Sequence, residues 1–250
     1  MLLMLTVHES RASDLVEPDR LRTFPSVPLG FYRDAFGNWC TRLVAPAGDI
    51  SITADGLVRD SGLADPQSWN AVQHRVEDLP AETLQFLLGS RYCETDLLSG
   101  IAWGLFGGTE PGWGRVRAIC DFVHNHIRFG YDDARATRTA YEAWREGVGV
   151  CRDFAHLAVA LCRCMNIPAR YCTGYLGDIG VPLSDSPMDF SGWFQAYLGG
   201  AWHTFDARHN HPRIGRVLIA TGRDAADVAI SNSFGNALLT GFRVWTDEVT

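Results

Sequence analysis

The stretch Gly147-Val-Gly-Val-Cys151-Arg-Asp-Phe-Ala-His-Leu-Ala-Val-Ala-Leu161 constrains this chain more than any other. Two glycines allow a tight approach, and a cysteine stands where a helical period begins. From there Phe154, Leu157, Ala158, Leu161 and Met165 recur at helix spacing, which predicts a buried stripe. Cys151 then falls at or beside a helix N-terminus, whose unpaired N–H groups favour negative charge. Such placement draws a thiol pKa from about 8.5 into ~3.5–7.5, making thiolate available near neutrality. A buried, inert cysteine is the ordinary alternative. The glycine-rich entry and the neighbouring Arg152-Asp153 pair point instead to a reactive site.

A chain of 250 residues can bury a full core as one large domain or two small ones. Its net charge of -7 argues against non-specific nucleic-acid binding. No run approaches the length of a membrane span, so neither nucleic acid nor membrane is expected as a partner. The apolar start Met1–Val7 is short and lacks a basic n-region, and is not read as a signal peptide. Seven cysteines are an odd count, which suits a reducing cytosol and a cytoplasmic location. Cys162-Arg-Cys164 has the wrong spacing for a zinc knuckle, and helical neighbours two apart do not face each other, so this pair reads as core. His209-Asn-His211 offers two imidazoles without a third ligand. No metal and no cofactor are expected.

Residues 1–66 read as a small β-rich region, with a turn at Asp34-Ala-Phe-Gly-Asn38 and strands near Leu3–Val7, Trp39–Val44 and Ile50–Ile52. From residue 67 to 250 a helical part leads into an antiparallel meander, which makes the whole α+β. Helices are predicted from Leu79-Pro80 to Leu88, from Thr95 or Asp96 to Leu105, along the stripe Trp113–Ile127, and from a Thr139 cap to Arg145. Ile167–Tyr175 reads as a strand and 176–189 as a loop. Phe190–Leu198 and Ala201–Arg208 form a hairpin about Gly199-Gly200, with further strands at Ile214–Ala220 and Phe242–Val249.

Gly149-Val-Cys151-Arg-Asp-Phe-Ala-His-Leu157, Arg163, Ile167-Pro-Ala-Arg170, Gly174-Tyr175, Trp193, Trp202-His-Thr-Phe-Asp206 and Gly222-Arg-Asp-Ala-Ala-Asp-Val228 resemble the bacterial transglutaminase-like superfamily. The resemblance covers about residues 67 to 250. It implies a papain-like core, helices packed on an antiparallel sheet, with a cysteine on a helix N-terminus and a histidine and an aspartate on neighbouring strands. Cys151 matches the family nucleophile and Asp206 the family aspartate. The histidine opens a His-Ala-Trp motif in the family, and here those letters are Ser191-Gly192-Trp193. The histidine is absent.

Strand geometry weighs that departure. Side chains alternate faces, so His203 and His209, each three residues from Asp206, point away from its face unless a bulge re-aims one. His156, about 140° round the helix from Cys151, does not face the thiol. A two-residue turn sets Trp193 opposite Asp206 and Ser191 on the same face, so Ser191 is expected in the histidine's place. A serine hydroxyl is no base near neutral pH, and lost acid–base assistance costs ~10²–10⁴ in rate.

Three readings follow. In the first, Cys151 attacks an amide or carboxamide carbonyl of a peptide or protein substrate. The thioester is resolved by amine or water, while Asp206 orients a base or polarises Ser191. In the second, the core is catalytically degenerate and binds a peptide or protein partner without turnover. In the third, a displaced histidine, His209 before His203, swings into the site. Trp193 is a candidate cleft wall and Tyr131 a candidate hydroxyl donor.

Overall fold

Helix α5 (Cys151–Cys164) is the axle of the molecule, and every residue from Asp153 to Cys164 on it is buried. The sequence predicts one apolar stripe; the helix is instead enclosed on all sides. Ala155, Ala158 and Ala160 make that possible, because small side chains let neighbouring elements approach closely.

The computed structural model of the chain describes residues 1–184 and 188–249. In chain order the strands and helices are β1 (Leu2–Leu3), β2 (Leu15–Phe24), β3 (Gly30–Arg33), β4 (Trp39–Arg42), β5 (Ser51–Val58), α1 (Ala81–Leu84), α2 (Thr95–Phe106), α3 (Trp113–His126), β6 (Arg128–Phe129), α4 (Ala140–Glu146) and β7 (Val148–Gly149). After α5 come β8 (Ala169–Tyr175), β9 (Ser191–Leu198), β10 (Ala201–Phe205), β11 (Val217–Gly222) and β12 (Ser231–Asn232). The chain is α+β. An antiparallel sheet in the order β10-β9-β8-β11 carries α5 on one face, and α2, α3 and α4 pack around that helix. The even-numbered side chains of β9 (Phe194, Ala196 and Leu198) join α5 in the main core, while Trp193 points to the other face with Cys172 and Leu218.

A second sheet, β12-β1-β4-β3, combines N-terminal strands with one strand from near the other end of the chain. It is tied to the main sheet through buried Asn38, whose amide exchanges hydrogen bonds of 2.8 and 2.9 Å with the backbone of Thr221. Local signals read well here. Thr139 and Glu142 cap α4 reciprocally, and the Gly199-Gly200 turn joins β9 to β10 in the expected register. Phe242–Val249 forms no strand. It runs as coil, with the Phe242 ring 5.8 Å from that of Phe190 and the Thr246 N–H on the Met188 sulfur. Residues 185–187 of the predicted 176–189 loop lie outside the described residues. Among the described residues no helix is long and apolar enough to cross a membrane.

Candidate active site

Cys151 is the first residue of α5, and Val150 before it is extended. The entry is built by one buried carboxylate. Asp153, three residues into the chain's turn, accepts the Val150 N–H at 2.9 Å and Arg138 Nη1 at 3.1 Å, and Arg138 also holds Glu146 at 2.9 Å. A carboxylate in the first helical turn answers both the unpaired N–H groups and the helix dipole. Gly149 makes room for it: a Cβ there would stand 2.6 Å from Asp153 Oδ2 and 2.7 Å from its Cβ. Strand β7 also pairs with β6 in parallel, Phe129 opposite Gly149, and this carries Tyr131 to the thiol's side of the molecule.

The sulfur lies against the end of β9. The hairpin register would set Ala207 opposite Gly192, but β10 stops at Phe205. The Cys151 thiol occupies that edge instead, 4.0 Å from the Phe190 carbonyl, with the Gly192 N–H directed to the sulfur. Gly192 is what lets the strand come so near, since a Cβ there would meet the Tyr171 hydroxyl at 2.4 Å and Arg152 Cα at 3.5 Å. Burial pushes the Cys151 thiol up from its ordinary pKa. The Arg208 guanidinium and the Gly192 N–H oppose that push without overcoming it, and Asp189 and Asp206 add to it. The sequence expects the helix terminus to favour thiolate; closure of β9 over the helix end acts in the opposite direction.

Asp206 lies one residue beyond β10, and alternation along a strand no longer governs it. Its Oδ1 accepts the N–H groups of Arg208 and His209, both at 3.0 Å, and its carbonyl accepts that of Asn210 at 2.8 Å. The chain turns back on itself, and His209 Nδ1 meets Asp206 Oδ2 at 2.8 Å. Sequence reasoning required a bulge for this contact; a carboxylate-capped turn produces it. Arg216 Nη2 reaches the same oxygen at 2.8 Å. Burial alone would raise the Asp206 carboxyl, but Arg216 and the hydrogen bonds from His209 hold it well below the usual carboxylate range.

The other candidates separate cleanly. Ser191 is buried, and its hydroxyl has no hydrogen-bond partner among the described residues. Gly192 faces α5, so the side chains of Ser191 and Trp193 point to the other face of the sheet, while the thiol lies against the backbone on either side of Ser191, at the Phe190 carbonyl and the Gly192 N–H. Trp193, 2% exposed, is packed under Arg216 and walls no cleft. His203 turns edge-on to Trp113 at 5.5 Å with Nε2 3.1 Å from the Leu198 carbonyl, away from the thiol. His156 is buried, accepts the Ala225 N–H and stacks on Tyr92. Tyr131 does join the site: burial pushes its hydroxyl up, and Arg208 both hydrogen-bonds it and pulls the other way. Among the described residues the sulfur hydrogen-bonds the Phe190 carbonyl and no imidazole. His211 Nδ1 is held 2.8 Å from the His209 carbonyl, and no group of three or more metal-ligating side chains is assembled among the described residues.

Arg208, Asp189 and Asp65 are the members that the sequence reading missed. One signal was present. Asp206-Ala-Arg-His-Asn210 is an aspartate followed by polar residues, the pattern of a side chain that caps its own turn.

Residues 101–207, which span both Cys151 and Asp206, match the transglutaminase-like superfamily. The fold is similar to that of a proposed cysteine protease from Cytophaga hutchinsonii, with a TM-score of 0.76 and 32% identity, covering 94% of this chain and 80% of that one. An uncharacterised protein of Mycobacterium leprae is 26% identical over 224 residues, 84% of this chain and 77% of the relative.

Proposed function

From the chain's membership of the transglutaminase-like superfamily, a family of thiol-type enzymes, we propose that it cleaves or transfers the acyl group of a peptide or protein amide through Cys151, with His209 and Asp206 as its partners. The observation that carries this is the 2.8 Å bond from His209 Nδ1 to a buried, ionised Asp206 whose charge also acts on the Cys151 thiol. Binding Nδ1 in this way leaves Nε2 as the basic nitrogen.

The steps balance as follows. A substrate carbonyl carbon comes against the sulfur, His209 Nε2 takes the thiol proton, and the S–C bond forms. N–H groups at the start of α5, Arg208 and the Tyr131 hydroxyl stabilise the oxyanion. The C–N bond then breaks, the amine or ammonia leaving with the proton from His209, and a thioester remains. Water or a primary amine attacks it, His209 accepts the proton, and the thiol returns with a free acid or a new amide. All seven cysteines are free, which supports a reducing compartment such as the cytoplasm.

The test uses a panel of glutamine-containing peptides and peptide amides, mixed with the full chain, with and without a dansylated primary amine. Acid-quenched mass spectrometry should find acyl adducts on Cys151, absent from Cys151→Ala and slowed at least ~10²-fold in His209→Gln. Peptide binding with no adduct on any substrate would overturn the enzyme reading in favour of a partner-binding core.

A further inference from the structure

Behind the Asp206–His209 pair stands a second layer of charge from a distant part of the chain. Arg216, buried, spans two carboxylates: Nη2 lies 2.8 Å from Asp206 Oδ2 and Nε lies 2.8 Å from Asp65 Oδ2. Asp65 is itself fixed. Its Oδ2 accepts the Arg213 N–H at 2.9 Å, and its own N–H donates to the Arg213 carbonyl at 2.9 Å. The guanidinium plane rests 5.0 Å over the Trp193 ring, which closes the remaining side.

We propose that Arg216, braced by Asp65, is a positioning residue of the site, which shares Asp206 Oδ2 with His209 and so fixes both the place of the imidazole and its readiness to accept a proton. The relevance of this to catalysis rests on His209 being the base. The physical argument does not. A buried carboxylate 2.8 Å from an imidazole, taken alone, favours imidazolium. A guanidinium on the same oxygen removes most of that bias. Asp65 keeps the guanidinium from being an uncompensated buried cation. Other charged and titratable groups facing the turn are Arg208 and His211 on the turn itself. From α3 come Asp121, which accepts Asn210 Nδ2 at 2.8 Å and pairs with Arg117, and His124, whose Nδ1 is 2.8 Å from the Arg208 carbonyl.

The experiment is an NMR titration of the His209 ring protons in the full chain, assigned by their loss in His209→Gln, alongside the Cys151 acylation rate against pH. Arg216→Met should raise the His209 midpoint by about one pH unit or more and carry the acid limb of the acylation rate up with it. Arg216→Lys, which restores the charge, should return most of the shift. Asp65→Asn should move the midpoint the other way and by less, because it removes negative charge while leaving Arg216. Unmoved midpoints in folded Arg216→Met, or shifts of the same sign in Arg216→Met and Asp65→Asn, would overturn the assignment. Should Arg216→Met not fold, the Lys and Asn variants decide it: the proposal requires a small shift in the first and a downward one in the second. A His209 midpoint that moves as stated while His209→Gln acylates normally would instead refute the catalytic reading and leave the Arg216 coupling standing.

Discussion

Two buried aspartates, Asp153 at the start of α5 and Asp206 after β10, do the same physical work. Each accepts backbone N–H groups at a chain turn, and each holds a buried arginine, Arg138 for one and Arg216 for the other. They differ in what else they hold. Asp153 gives one oxygen to the Val150 N–H and Arg138 and sets the other 3.5 Å from Arg152 Nη2, so its effect is to aim α5 and the residue at its tip. Asp206 bonds a side chain that titrates. One carboxylate therefore builds a shape and the other builds a reactivity, and substitutions at the two should separate stability from chemistry.

The largest effect is expected at the second. Asp206→Asn keeps the size of the side chain but leaves His209 free to adopt the wrong tautomer and Arg216 with Asp65 alone. Acylation of Cys151 should fall by ~10³-fold or more, while the circular dichroism spectrum stays native. A loss below tenfold would erase the distinction between the two aspartates.

Asp153→Asn should show the converse. The amide oxygen can still cap Val150, but Arg138 loses its fully buried counter-charge and keeps only the half-exposed Glu146. Unfolding in urea should report a loss of about 2–3 kcal/mol, with the acylation rate of the folded fraction within about tenfold of the parent. A rate loss as large as that of Asp206→Asn would show that the helix tip, and not the turn, limits the chemistry.

The same contrast explains what could be read without coordinates. Asp153's partners Val150 and Arg138, and Arg138's partner Glu146, all lie within 15 residues, and the glycines, the cysteine and the helical period announce that element together. The α4 cap and the β9–β10 hairpin were legible for the same reason: Thr139 with Glu142, and Gly199 with Gly200, carry their geometry locally. Asp206 draws Arg216 from the next strand's approach and, through it, Asp65 from 151 residues away, and no pattern in the chain records that meeting. The faulty step was to extend β10 through Arg208. Once Asp206 caps a turn, alternation stops applying, and His209 reaches the Asp206 carboxylate that strand geometry had denied it. Phe242–Val249 failed differently: an apolar run makes a strand only where it pairs with an edge.

Acid should also divide the two sides. On the α5 side, burial, with Arg152 and Arg163 nearby, holds His156 well below its ordinary pKa, so the neutral ring contributes stability above about pH 6.5 that declines as pH falls from there. On the turn side the Asp206 carboxyl is depressed in the folded state. Its contribution is full above about pH 4 and is lost only as pH drops below that. Stability against pH should bend twice. The upper bend, at most about 1.4 kcal/mol per pH unit, should vanish in His156→Gln, which preserves an acceptor for the Ala225 N–H. The lower one should weaken in Asp206→Asn. A single bend near pH 4 in the parent chain would mean that His156 carries no such penalty.

The smallest effect belongs to the residue that stands where the family has its histidine. The Ser191 hydroxyl is buried and makes no hydrogen bond among the described residues, and an unsatisfied buried group of this kind destabilises by ~1–3 kcal/mol relative to a paired one. Ser191→Ala removes that cost and leaves a void of one atom, so stability should stay equal or rise by up to about 1 kcal/mol. Acylation of Cys151 should be unchanged, because the proposed base is His209 on the turn and not a group on β9. For the same reason Ser191→His should restore nothing: its ring would be driven against Trp193 and Gly174, whose own Cβ position is 2.9 Å from that indole. A tenfold fall in acylation for Ser191→Ala, or a gain for Ser191→His, would place the base on β9 after all and return the turn at Asp206 to a purely structural part, as Asp153 is.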